Sequence, residues 1–420
     1  MTDRRIALLV LCTGALMMIL DETIVNVALP VIQDDLRFAQ QDLAWVVNAY
    51  LIAFGGLLLL AGRLGDLLGR RRVFLAGLAL FTAASIACGA AQTPAMLVAA
   101  RFLQGAGGAM ASAVILGMIV TLFPEPRARA KAIGVFSFTQ ASGGSIGLLA
   151  GGVVTDTAGW HWIFFVNVPI ALAVAAGALR FVPAGLAAAT RTGARVPLIP
   201  RRLLRNRAVW IANGIQAVAI AGLFGIQFLG GQYLQHELGY TPLQQGLAFL
   251  PLVVGIAVFS LLVSGKAINR FGAAAVLLPG LALIAAGLGY LARGPLDGHY
   301  VADVLPSMVA LGIGGGLAIP ALMNLVMSAA TEQDAGAASG LATTTQQVGG
   351  AAGLTLVAAL AARHGVHLGF AVGAALVLAA LVLAAVMLRD QISRSSWRVP
   401  RRAPARSSRT SPSGHPTGCR

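Results

Sequence analysis

Apolar positions fall into twelve long runs, at about 6–29, 43–62, 73–92, 95–123, 132–155, 162–183, 208–234, 243–264, 272–293, 302–329, 337–361 and 368–388. A helix needs about 20 mostly apolar residues to cross about 30 Å of hydrocarbon, so each run predicts one membrane span. A transmembrane β-barrel would show short alternating segments, which are missing here. The pattern predicts an all-α membrane protein, a bundle of about twelve transmembrane helices.

Polar positions between the runs set an orientation. If the N-terminus is cytoplasmic, 26 of the 30 Lys and Arg residues lie in cytoplasmic segments. Only Arg37, Arg293 and Arg363 fall outside, and Arg101 lies within a run. The positive-inside rule then predicts both termini in the cytoplasm and a multi-pass protein of the cell membrane. Eight of these charges belong to 389–420, but the bias survives without them.

The polar breaks also repeat. Gly62 and Gly69 recur as Gly265 and Gly272, and Asp66 as Asn269, all at an offset of 203 residues. Short turns favour glycine and arginine in any case. With six runs on each side, a parallel duplication explains more. The predicted organisation is an N-terminal six-helix half (1–183), a cytoplasmic linker (184–207), a C-terminal six-helix half (208–388) and a disordered basic tail (389–420).

Composition narrows the class. The chain is 57% hydrophobic and 11% charged, with mean hydropathy +0.81, where soluble domains carry about 25% charged residues. The net charge of +15 sits in alternate loops and the tail, so it follows topology and does not predict a nucleic-acid partner. The first run lacks a small-x-small cleavage pattern and contains Asp21, so it reads as a span and not a signal peptide. Cys12, Cys88 and Cys419 form no disulfide framework. His161, His364 and His367 are scattered, so no metal site is expected. No P-loop or dinucleotide fingerprint appears, which argues against ATP-driven transport and against a cofactor.

Charge inside the runs marks the candidate chemistry. Asp21 and Glu22 lie inside the first run, and a carboxylate at the bilayer centre costs roughly 2.5–3.5 kcal/mol. Being adjacent, they project about 100° apart. Asp21 is the candidate proton carrier; Glu22 either assists or attracts a cationic substrate. Arg101 shares a helix face with Gly105 and Gly108 and is the candidate partner that makes protonation depend on conformation. A purely structural ion pair is the plainer alternative. Gly143, Gly147 and Gly151 recur every fourth residue, with Gly144 and Gly152 beside them, as a packing or gating stripe. Gly312 to Gly316 with Pro320 could soften the tenth span. Asn26, Gln216, Gln227, Asn324, Thr343 and Gln347 are candidate cavity-lining groups, although each alone is more often a helix–helix hydrogen bond than a ligand contact.

Four stretches carry a family resemblance: 20–30 (Leu-Asp-Glu-Thr-Ile-Val-Asn-Val-Ala-Leu-Pro), 62–72, 101–108, and 143–152 followed by 160–169. They resemble the major facilitator superfamily, and within it the drug:proton antiporters of the EmrB/QacA type. The resemblance implies a secondary transporter, a monomer in the lipid bilayer that exports small amphipathic or cationic compounds in exchange for protons. It also implies a conformational latch in the loop carrying Gly62, Asp66, Gly69, Arg70 and Arg71. Three departures stand out. Leu148 occupies a position where the family has proline in a motif tied to antiport. The two central spans of the usual fourteen are missing, and Thr343 and Gln346 replace Asn and Arg. An uptake symporter and a transport-inactive scaffold or sensor are the competing expectations.

Overall fold

The structure, a computed structural model, describes residues 2–40, 42–183, 201–294, 299–328 and 335–389. Most of the expected linker and nearly all of the expected tail lie outside the described residues. Among the described residues twelve long helices follow one another. They are α1 (Asp3–Leu36), α2 (Trp45–Leu68), α3 (Arg70–Gly89), α4 (Pro94–Leu122), α5 (Pro126–Ala158) and α6 (Trp162–Phe181), then α7 (Arg207–Glu237), α8 (Pro242–Phe271), α9 (Ala273–Leu291), α10 (Tyr300–Ser328), α11 (Ala335–His364) and α12 (Val366–Met387). Ten are long and apolar enough to cross a membrane. The other two, α5 and α11, match them in length and carry more Gly, Ser, Thr and Gln.

Local chemistry sets the ends. Thr93 caps α4 by accepting from the Met96 amide, with Pro94 at the first helical position. Thr241 and Gln244 form a reciprocal capping box at the start of α8. Gly69 (φ 94°) and Gly272 (φ 86°) make the α2–α3 and α8–α9 turns, a conformation that suits glycine alone. These are the glycines that recur at the 203-residue offset. Within α6 the chain breaks at Val166, because the Pro169 ring clashes with the Phe165 carbonyl. The expected softening of α10 is not seen: the helix runs unbroken through Pro320. Its glycines instead seat neighbours, Gly312 against the Leu252 carbonyl and Gly314 against that of Gly280.

One apolar core runs through the bundle, yet large side chains such as Leu60, Leu172, Leu262, Val382 and Val386 point outward, exposed. A water-soluble monomer rarely exposes so much apolar surface, whereas hydrocarbon accepts it. The α2–α11 and α5–α8 pairs bridge the first and last six helices, and α1 packs on α7. Exchanging the two sets of six maps the first bridging pair onto the second. The repeat also extends to packing: Gly77 and Gly107 meet between α3 and α4 as Gly280 and Gly314 meet between α9 and α10.

Candidate functional site: a buried ion pair in the first six helices

Asp21 lies roughly halfway along α1 and is completely buried, as is Arg101 on α4. Arg101 Nη1 donates to Asp21 Oδ2 at 2.7 Å. The guanidinium also donates to the Val46 carbonyl (3.0 Å) and to Gln104 Oε1 (2.7 Å), and lies 4.4 Å from the centre of the Tyr50 ring. Asp21 Oδ1 accepts from two amides, Gln104 Nε2 and Asn167 Nδ2, each at 2.7 Å. Both amides spend their second proton on Ser85 Oγ (3.0 Å), which donates in turn to the Phe164 carbonyl (3.0 Å). Five helices thus contribute to one closed network: α1, α2, α3, α4 and α6.

Such closure is what a buried pair requires. Removing two charges from water costs several kcal/mol each, and mutual attraction offsets this only when the remaining donors and acceptors are satisfied. Glycine makes the approach possible. A Cβ on Gly105 would stand 2.4 Å from the Tyr50 carbonyl, and one on Gly108 would stand 3.1 Å from the Tyr50 hydroxyl. The break at Val166 is equally specific, since it puts Asn167 at the head of a new helix. Among the described residues the second six helices hold no counterpart. Gly105 and Gly107 correspond in packing to Gly312 and Gly314, an offset of 207 residues in place of 203, and this offset carries Arg101 onto Met308.

The α5 stripe seats α1 around these acids. A Cβ on Gly143, Gly147 or Gly151 would meet Ile19 (2.7 Å), Thr23 Oγ1 (1.9 Å) or the Ile24 carbonyl (2.8 Å). Gly144 is looser, with Thr23 at 4.0 Å, and Gly152 faces the Pro242 carbonyl of α8 at 2.7 Å. Leu148 is buried, and its carbonyl lies 2.8 Å from a Cβ built on Gly246 of α8. With leucine there, α5 is continuous. We expect Gly147→Val to cut the yield of monodisperse protein severely, by overpacking of roughly 1–3 kcal/mol or more. Gly134→Val, on the same helix at a position with open space, should be tolerated; equal yields of the two would contradict this packing role.

Glu22 faces elsewhere, as adjacent helical positions must. Gln347 Nε2 of α11 lies 3.5 Å from Glu22 Oε1, at the limit of hydrogen bonding. Other cavity candidates sit at helix contacts. Asn26 Nδ2 donates to Gln227 Oε1 (3.2 Å), and Gln216 Nε2 to the Ala342 carbonyl (3.3 Å). Thr343 bonds back to its own helix at Ser339 (3.1 Å), and Asn324 is exposed on α10. Among the described residues, hydrogen bonds joining the first and last six helices start mid-bundle, with Thr344 to the Gly55 carbonyl (2.9 Å). They continue toward the face opposite Asp3: Asn48 to Thr355 (2.8 Å), Gln235 to the Val27 carbonyl (2.8 Å) and Gln232 to Gln33 (3.4 Å).

The expected loop is helical apart from Gly69: Gly62 and Asp66 lie in the last turns of α2 and Arg70 and Arg71 open α3, with Asp66 Oδ1 3.3 Å from Arg70 Nη2. Arg70 also donates to the Gly117 carbonyl (2.8 Å) and Thr121 (3.2 Å), and Arg71 to the Leu179 carbonyl (2.6 Å). A Cβ on Gly62 would meet nothing within 4 Å. Among the described residues these bonds tie α2, α3, α4 and α6 together, and none reaches α7–α12. Sequence reasoning did not single out Gln104, Ser85, Asn167 or Tyr50. Uncharged polar residues in apolar runs are common, and the one usable signal was an asparagine two positions before a span-breaking proline. Among the described residues no cluster of metal-ligating side chains occurs.

A repeated six-helix bundle with a charged network inside the hydrocarbon layer defines a polytopic membrane transporter. The chain belongs to the Major Facilitator Superfamily, whose model matches residues 11–354 and 215–415. It is 34% identical over 404 residues to the puromycin resistance protein pur8 of Streptomyces alboniger, covering 83% of this chain and 80% of that protein. It is 33% identical over 406 residues to the cephamycin export protein CmcT of Amycolatopsis lactamdurans (84% of each chain). The lincomycin resistance protein of Streptomyces lincolnensis is 32% identical over 406 residues, again covering 84% of each. Among solved structures the nucleoside transporter NupG superposes with TM-score 0.76 at 13% identity, over 91% of this chain and 99% of that one, a likeness of fold. The protein is therefore a membrane transporter and not an enzyme, and its named relatives are antibiotic resistance and export proteins.

Proposed function

We propose that this protein is a proton-coupled exporter of small amphipathic or cationic compounds, working by alternating access between halves 1–183 and 208–388. The observation that carries the reading is the fully buried Asp21–Arg101 pair with its amide clamp. A proton arriving on Asp21 cancels the charge that Arg101 is paired with and leaves a buried cation uncompensated. The arrangement of α1, α3, α4 and α6 that suits the ion pair then no longer suits the protonated site, and the equilibrium shifts to another arrangement. Asn26, on the same helix as Asp21, bonds Gln227 of the other half, so a movement of α1 reaches α7 directly. Glu22, facing Gln347 across the halves, is the group suited to a cationic substrate. One charge crossing 100 mV is worth about 2.3 kcal/mol, enough for a roughly fiftyfold substrate gradient. The described state, bonded between halves from mid-bundle to the face opposite Asp3, fits a transporter closed on the outer side. The relatives' names support export over uptake.

The direct test is a susceptibility screen in a bacterial strain stripped of its own exporters. Expression of this chain should raise tolerance to amphipathic compounds and lower their accumulation, and a protonophore should abolish both effects. Protonophore-resistant efflux, or increased accumulation, would remove the reading. Topology is tested separately. A reporter active only outside the cytoplasm should be silent when fused after Arg389 and active in the 37–42 turn; activity after Arg389 would overturn two cytoplasmic termini.

A further inference from the structure

Where α7 begins and α10 and α12 end, a crevice of about 150 Å³ opens, lined by Ala208, Ile211, Leu325, Ser328, Met387 and Leu388. Its lining side chains are apolar apart from the Ser328 hydroxyl. Its flanks are basic: Arg207 directly precedes Ala208, and Arg389 directly follows Leu388, with Asp390 next in sequence. A short helix, Arg201–Arg205, leads into α7 and is pinned by Leu203, buried against Val209, Ala338 and Leu341. Arg205 ends that helix, three residues before Ala208 of the crevice lining. Arg202, Arg205, Arg207 and Arg389 are all exposed, and neither salt bridge among the described residues uses any of them. Trp210, half-exposed one turn further on, suits the membrane interface.

We propose that this corner binds an anionic phospholipid, its headgroup phosphate held by Arg205, Arg207 and Arg389 and one acyl chain entering the crevice. The assignment is independent of the transport mechanism. Topology alone accounts for arginines in this segment, but not for an apolar crevice opening between two of them. Basic pockets between membrane helices are where anionic headgroups settle. A lipid satisfies both features at once, whereas a soluble anion would leave the crevice unfilled.

The test uses the full chain in mixed micelles of phosphatidylglycerol and phosphatidylcholine, with retained lipid counted by native mass spectrometry. The wild type should retain phosphatidylglycerol preferentially. Arg205→Gln with Arg207→Gln should weaken that retention about twenty-five-fold, at roughly fivefold per arginine. Ala208→Phe keeps every arginine and fills the crevice at an exposed position, so folding should survive, as a monodisperse elution profile would confirm. It should lose the lipid as well. Retention of phosphatidylglycerol by Ala208→Phe would reduce the site to unspecific surface charge and overturn the proposal. Equal retention of both lipids by the wild type, or displacement by glycerol phosphate alone, would overturn it too.

Discussion

Asp21→Asn is expected to abolish uphill export while leaving substrate binding measurable. Asparagine has nearly the shape of aspartate and still offers an oxygen to Arg101, but it takes up no proton. In the proposed mechanism substrate meets the Glu22 face of α1, where Gln347 of α11 approaches, whereas Asp21 is completely buried on another face. Downhill movement of substrate can therefore persist where accumulation against a gradient cannot. Asp21→Glu should keep partial activity with an altered pH dependence, since the longer carboxylate still titrates but must disturb the clamp of Gln104 and Asn167. Glu22→Gln is the control, with a milder defect concentrated on cationic compounds. Accumulation assays at matched abundance, with and without protonophore, decide the matter. Gradient-driven export by Asp21→Asn at wild-type levels would show that another group carries the proton.

The second large effect concerns Arg101. Arg101→Ala should destabilise the protein by roughly 3–5 kcal/mol, the usual cost of stranding one member of a buried pair. The Val46 carbonyl and Gln104 Oε1 lose a donor at the same time. Asp21→Asn should itself be less stable than wild type, because it leaves the guanidinium without a countercharge. The combination Asp21→Asn with Arg101→Gln removes both charges and should recover much of the thermal stability without recovering coupled export. That split separates the structural role of the pair from its role in transport. A double variant no more stable than either single variant would mean that the two charges are not energetically coupled.

Much of this could be read from the sequence, for identifiable reasons. Charge is so costly in hydrocarbon that Asp21, Glu22 and Arg101 stood out against apolar runs, and helical geometry already separated the two acids. The offset of 203 residues anticipated the matching turns at Gly69 and Gly272, because a left-handed turn needs glycine wherever it recurs. The amide clamp was hidden. Gln104 and Ser85 look like any polar residue inside a span, and only the three-dimensional meeting of α3, α4 and α6 distinguishes them. Asn167 depended on the helix break before Pro169, a local event without long-range signature. The glycine run of α10 misled in the opposite way: glycine that suggests flexibility in isolation serves close packing once α8 and α9 lie against it. In the helix-ending stretch that bears Asp66, sequence indicated a charge cluster but not its direction, and among the described residues its bonds stay within the first six helices.

The central claim is that protons move through this protein by way of Asp21 in exchange for substrate. Everted membrane vesicles with an acidified lumen and a lumenal pH dye test it directly, using amphipathic cations first shown to be exported in the susceptibility screen. Adding such a compound outside should make the wild-type lumen more alkaline as protons leave, and should do nothing in vesicles carrying Asp21→Asn at equal abundance. Substrate-driven proton release by the Asp21→Asn vesicles, or none by the wild type while substrate accumulates, would contradict the account.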